Sequence, residues 1–203
     1  MAKKTSLLLL LPAVAMIASV CAGAQTPEKG AFMVRPMFGL SSSSFNIDTK
    51  YSGLRIDSRF RYGFVGGVEM AYQANRLFQP SLGLFYAQQG NKYIVDVWDK
   101  DLLVEMDYLT MPVLGHFYVY DGIALSVGVQ PCVLLNSKCD GSVATDFQLQ
   151  IPFGISYEYS HFVFDAKMTI GITKCFDKDH VKYYADGATN EGFTLTVGYN
   201  FEM

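Results

Sequence analysis

Between Phe193 and Phe201 the chain alternates, with Phe193, Leu195, Val197, Tyr199 and Phe201 on one parity and Thr194, Thr196, Gly198 and Asn200 on the other. A period of two with one apolar face predicts a β-strand. The same pattern runs from Phe162 to Ile172 and, before that, from Phe147 to Tyr159. Upstream it recurs at Ile123–Val129, Leu109–Phe117, Leu82–Tyr86, Phe64–Tyr72 and Phe32–Leu40. Eight strands and no helix follow from this pattern.

The joins between these segments fall into two kinds. Tight polar turns are expected around Asn75–Arg76, Tyr120–Asp121–Gly122 and Ser160–His161. The other four connections, Ser41–Arg61, Gln89–Met106, Asn136–Thr145 and Phe176–Glu191, span 21, 18, 10 and 16 residues and are expected to be loops. Short turns at one end and long loops at the other match an outer-membrane barrel. An even strand number puts both termini at the short-turn end, the periplasmic side in that arrangement.

The first residues follow a different rule. Lys3 and Lys4 precede an apolar run, Leu7–Val20, and Ala22-Gly23-Ala24 supplies the small residues of a cleavage site. This reads as a secretory signal peptide over residues 1–24, with a barrel domain over 25–203. The run is too short for the ~20 residues of a spanning helix. Lipidation at Cys21 is the alternative, disfavoured by the bulk of Val20. Cleavage leaves 14 basic and 19 acidic residues, a mildly acidic chain with no basic cluster for nucleic acid.

Composition bears on which face meets what. The chain is 50% hydrophobic and only 17% charged. A soluble barrel would turn a charged face to water. Here the second face of the strands carries mostly Gly, Ala, Ser, Thr and Gln, with Arg35, Glu69, His116, Glu158, Asp165 and Lys167 as its few ionisable groups. A narrow eight-stranded lumen suits that mixture, and the apolar face then lies against lipid. Tyr72, Phe78, Tyr118, Tyr120, Tyr157, Tyr159, Phe162, Tyr199 and Phe201 bunch near the short turns, as an interfacial aromatic girdle would.

The six ionisable groups are expected to form a buried network that plugs the lumen. Pairing Ala31 with Gln73 sets Arg35 beside Glu69, while Asp165 and Lys167 are neighbours on one face. Chemistry beyond this is sparse. His116, His161 and His180 lie on three segments without metal-ligand spacing. Neither a nucleophile elbow nor a phosphate loop occurs, and Glu158 and His161 could meet beside one turn without an evident serine. No catalytic, cofactor or metal residue is therefore assigned. After cleavage three cysteines remain, Cys132, Cys139 and Cys175; a Cys139–Cys175 bridge and free thiols are both open.

Several motifs carry a family resemblance. Tyr108-Leu109-Thr110-Met111-Pro112-Val113 resembles the Tyr-Leu-x-Ile-Pro-Leu strand of the PorT-like outer-membrane β-barrel family of Bacteroidota. Tyr86-Ala87-Gln88-Gln89-Gly90 is similar to its Tyr-x-x-Lys-Gly, with Gln in place of Lys. The Phe162–Thr173 segment resembles its Asp-containing seventh strand, and Gly198-Tyr199-Asn200-Phe201 its terminal Gly-Tyr-x-Phe. The chain departs from that pattern in ending Glu202-Met203 and in reading Gln130-Pro131-Cys132 where Gly-Pro-Tyr is usual.

The expectation is an all-β, closed, antiparallel, eight-stranded up-and-down transmembrane barrel in the outer membrane. Outer-membrane lipid and the barrel-assembly machinery would be its general partners, and a surface or secretion-system protein a specific one through the long loops. The resemblance implies an accessory role in protein secretion. A lipid-modifying barrel enzyme and a secreted soluble barrel holding an apolar ligand are the alternatives.

Overall fold

The computed structural model describes residues 26–49, 57–95, 100–138, 145–173 and 185–203; the segment 1–24 expected to be a signal peptide lies outside them. The described residues form eight antiparallel strands and no helix. In chain order these are β1 (Phe32–Thr49), β2 (Asp57–Tyr72), β3 (Phe78–Val95), β4 in two pieces (Lys100–Thr110 and Val113–Tyr120), β5 (Ile123–Lys138), β6 (Phe147–Tyr159), β7 (Phe162–Gly171) and β8 (Ala185–Tyr199, with a last piece Phe201–Glu202). Each strand pairs with its neighbours in sequence, and β8 returns to pair with β1 from Met37↔Gly198 outward. The sheet is a closed barrel.

Closure follows from the solvent. Hydrocarbon offers no partner for a free N–H or C=O, so an open edge within it is excluded. Even the break in β4 at Met111–Pro112 obeys this rule. Gly83 donates to the Pro112 carbonyl at 2.8 Å, and the Met111 N–H donates to Pro131 at 2.9 Å.

Two turns at the short-connection end are tight. Gly122 takes φ 71° and Ser160 φ 54°, the left-handed backbone that short hairpins demand. In the third, Asn75 Oδ1 accepts the Leu77 and Phe78 N–H groups. Both described chain ends lie here too, since Phe32 pairs with Tyr72 and accepts a bond from the Met203 N–H.

The opposite end departs from expectation. Much of the four segments expected as loops is ladder: Ser41–Thr49, Asp57–Arg61, Gln89–Val95, Lys100–Met106, Asn136–Lys138 and Ala185–Glu191 are strand. A span needs about 9–11 residues of tilted strand, and β1 has 18. Past the apolar band both faces can be polar, so alternation stops while backbone pairing continues.

The apolar parity points outward, with Leu40, Leu82, Leu125, Ile155, Phe164, Met168 and Leu195 all exposed. A wall of this kind has its large apolar residues facing lipid. Inside, the small polar mixture is interleaved with larger groups than the residue pattern suggests. Met33, Met37, Phe85, Met106 and Tyr108 are buried there. Phe85 has room because a Cβ at Gly67 would fall 2.7 Å from its ring, and one at Gly83 2.5 Å.

Placing a charge outward tests this orientation. Met168→Arg near the middle of the band is expected to destabilise the lipid-folded barrel by about 2–4 kcal/mol, read from denaturant unfolding in vesicles. An unchanged midpoint would place that face away from lipid.

Candidate functional site

The lumen at the short-turn end is organised around Arg35, which is fully buried. β1 presents it inward directly opposite Glu69 of β2, with Nη1 3.3 Å from Glu69 Oε1. Its Nη2 donates to Glu158 Oε1 of β6 at 2.8 Å, and its Nε to Asn200 Oδ1 of β8 at 2.5 Å. Asn200 Nδ2 in turn donates to Glu158 Oε2 at 3.2 Å, and the Tyr118 hydroxyl of β4 donates to Glu158 Oε1 at 2.6 Å. One guanidinium thus ties β1 to β2, β6 and β8, and through Glu158 to β4. The planar five-donor fork of arginine suits this sharing.

His116 extends the cluster. Its Nε2 lies 2.9 Å from Ser81 Oγ and 3.8 Å from Glu69 Oε1. Lys167 and Asp165 form a separate contact at 3.3 Å, with the ammonium 5.9 Å from the centre of the Phe85 ring. Below Arg35, Gln79 donates to Gln73 at 2.6 Å, closing the turn end.

Toward the long-connection end the lumen is mostly amide, with Arg61 opposite Ser43 donating to the Gln89 carbonyl at 3.1 Å. Gln130 donates to Gln150 at 3.0 Å, Gln148 to the Tyr108 hydroxyl at 2.6 Å, and Asn190 to Gln89. Between these amides and Lys167 lies a cavity of about 30 Å³, room for about one or two waters. The Ser126, Ser156 and Thr196 hydroxyls and Glu69 Oε2 are buried without a protein partner.

The residues singled out from sequence thus separate into groups. Arg35, Glu69, Glu158 and His116 meet in one cluster, while Asp165 and Lys167 meet each other. Cys139, Cys175 and His180 lie outside the described residues. Cys132 is a buried free thiol on the inner face, donating to the Gln130 carbonyl at 3.5 Å.

Glu158 and His161 do not meet. Glu158 points into the lumen, whereas His161 is exposed on the turn and stacks on Tyr199 at 5.5 Å. Ser160 Oγ lies 3.1 Å from His161 Nδ1, a serine contact not anticipated from sequence. With Glu158 facing the other way, that acid does not orient the pair as a nucleophile and base would need. Tyr118 also belongs elsewhere than expected. It shares the inward parity of His116 and is buried, so it is a lumen hydroxyl and no part of the girdle. Tyr72, Tyr120, Tyr159, Phe162, Tyr199 and Phe201 do lie exposed near the short turns. Asn200 was the residue least visible from sequence; its inward parity was the available signal.

Residues 24–177 match the family described as outer membrane protein beta-barrel domain. No curated protein matches the chain. Among solved structures, Neisserial surface protein A is similar over 85% of this chain and 100% of its own, at 14% identity and TM-score 0.52. OprG of Pseudomonas aeruginosa aligns over 88% of this chain and 99% of its own, at 16% identity and TM-score 0.48. Ail of Yersinia pestis does so over 86% and 100%, at 16% and 0.47. The Neisserial likeness shows a shared fold. Closed wall, apolar outer face and family agree on an outer-membrane barrel, and the chain belongs to the outer membrane protein beta-barrel domain family.

Proposed function

We propose that this protein is a sealed outer-membrane barrel of structural or interaction type, working through the end that carries its four longer connections, with no reaction of its own. The observation supporting this reading is the Arg35 cluster, which spans the lumen between β1, β2, β6 and β8. A side chain held by two carboxylates and an amide is a plug. Together with a remaining cavity of about 30 Å³, it argues against a conducting path.

An accessory role in protein secretion is the finer proposal. It is supported by the order of the PorT-like motifs along the chain, with Tyr108–Val113 on β4 and Gly198–Phe201 closing β8. Insertion by the barrel-assembly machinery and a periplasmic position for both chain ends belong to the same reading.

Three measurements test it. Glu69→Ala leaves Arg35 and His116 short of a buried partner and is expected to lower stability by about 3–5 kcal/mol, seen as a lowered thermal transition of the detergent-folded barrel. In planar bilayers the purified protein is expected to give no discrete conductance steps, and reproducible steps would remove the plug reading. An epitope tag after Met203 is expected to be reached by antibody only once the outer membrane is permeabilised; labelling of intact cells would reverse the orientation.

A further inference from the structure

The contact between β1 and β8 differs from every other pairing in the wall. The other seven join strands consecutive in the chain, whereas this one joins its two ends, across a separation of 165 residues at Arg35 and Asn200. Closing so long a loop carries the largest chain entropy in the barrel.

Its ladder is also interrupted. Backbone partners run Met33↔Glu202 and Val34↔Phe201, then resume at Met37↔Gly198. The two rungs between them, Arg35 with Asn200 and Pro36 with Tyr199, are missing. Pro36 has no N–H to give. Asn200 sits where β8 breaks, and its N–H faces the other neighbour, extending the β7–β8 ladder by one bond to the His161 carbonyl at 2.6 Å, so its backbone gives nothing to β1. What replaces the lost rungs is the side-chain bond from Arg35 Nε to Asn200 Oδ1, anchored from inside by Glu69 and Glu158.

We propose that Arg35 and Asn200 form a latch on the closing joint of the barrel, and that the wall parts between β1 and β8 when this latch is lost. The inference rests on closure geometry and is independent of the plug's role in conduction. Interruptions elsewhere join strands already tethered by a connection, such as the missing rungs between Val127↔Phe153 and Gln130↔Gln150. Those can reopen and close locally.

The test uses the full-length barrel in nanodiscs, with its own cysteines replaced, and the Asn200→Ala variant. That substitution is expected to lower the unfolding midpoint by about 5 °C. A short thiol crosslink across the joint, between Leu40→Cys and Leu195→Cys, is expected to restore the parent midpoint. These two residues are outward-facing partners on β1 and β8. The same crosslink between Leu125→Cys and Ile155→Cys, outward partners on β5 and β6, is expected to restore little. Equal rescue by both, or no rescue at the joint, would overturn the proposal. Should Asn200→Ala fail to fold, spin labels at the same two pairs in the otherwise unchanged barrel give the answer on heating. Separation at 40 and 195 before 125 and 155 supports the latch, and simultaneous separation or the reverse order overturns it.

Discussion

Backbone hydrogen bonding in a solvent that cannot supply it is the constraint on which the rest of this structure depends. A strand in hydrocarbon needs a neighbour on both sides, and eight strands in a row achieve this only by closing. The wall nevertheless contains Pro36, Pro80, Pro112, Pro131 and Pro152, each removing a donor from a sheet without edges to hide it. At Pro112 the carbonyl stays in the ladder, accepting from the Gly83 N–H. The missing rungs between β5 and β6, beside Pro152, are flanked by the Gln130–Gln150 amide bond, and those beside Pro36 are crossed by the Arg35–Asn200 bond. Lumen side chains thereby complete what the ladder leaves open.

Closure in turn dictates the chemistry inside. Once the cylinder is shut, an inward polar group has lost bulk water and must find a partner across the lumen or along it. Charge is the most demanding case. Glu158 has both oxygens engaged, by Arg35 and Tyr118 on one and Asn200 on the other. Amides satisfy one another more easily, since each carries donor and acceptor, and they line both ends of the lumen. Apolar bulk takes up the remaining volume, with glycines at 67 and 83 leaving space for the Phe85 ring.

How much of this is legible in the residues depends on what marks each feature. Period-two alternation distinguishes the two faces, so strand number can be read from the eight alternating segments, and inward parity and the position of Arg35 beside Glu69 from Phe32–Leu40 and Phe64–Tyr72 once Ala31 is paired with Gln73. It cannot show how far a side chain leans across the lumen. Arg35 and Glu158 stand 123 residues apart, and nothing local in the sequence joins them. Tyr118 is ambiguous in sequence because aromatic residues near a turn suit both an interface and a lumen hydroxyl; only its parity with His116 separates the two. The upper ladder was hidden for another reason. Ser41 to Ser44 carry no apolar alternation, because beyond the lipid band neither face needs it, yet their backbone pairs as regularly as the rest.

The overshoot of the strands has a mechanical consequence. A wall that ended with the lipid band would leave its longer connections rooted in the bilayer surface, each free to move separately. Here β1, β2 and β3 are 16 to 18 residues long, well past the 9–11 that a span requires. β1 stays in register with β2 to Ser43 and with β8 to Ile47, and pairs with β8 again at Thr49 after a one-residue shift. Inward hydrogen bonds continue at this level, including Asn190 to Gln89 and Ser41 to the Gln88 carbonyl. The connecting segments are therefore mounted on a paired cylinder, whose interior and lipid face are already committed to holding the fold. The strand ends that carry the longer connections thus extend past the length a span requires, and they do so as one paired wall.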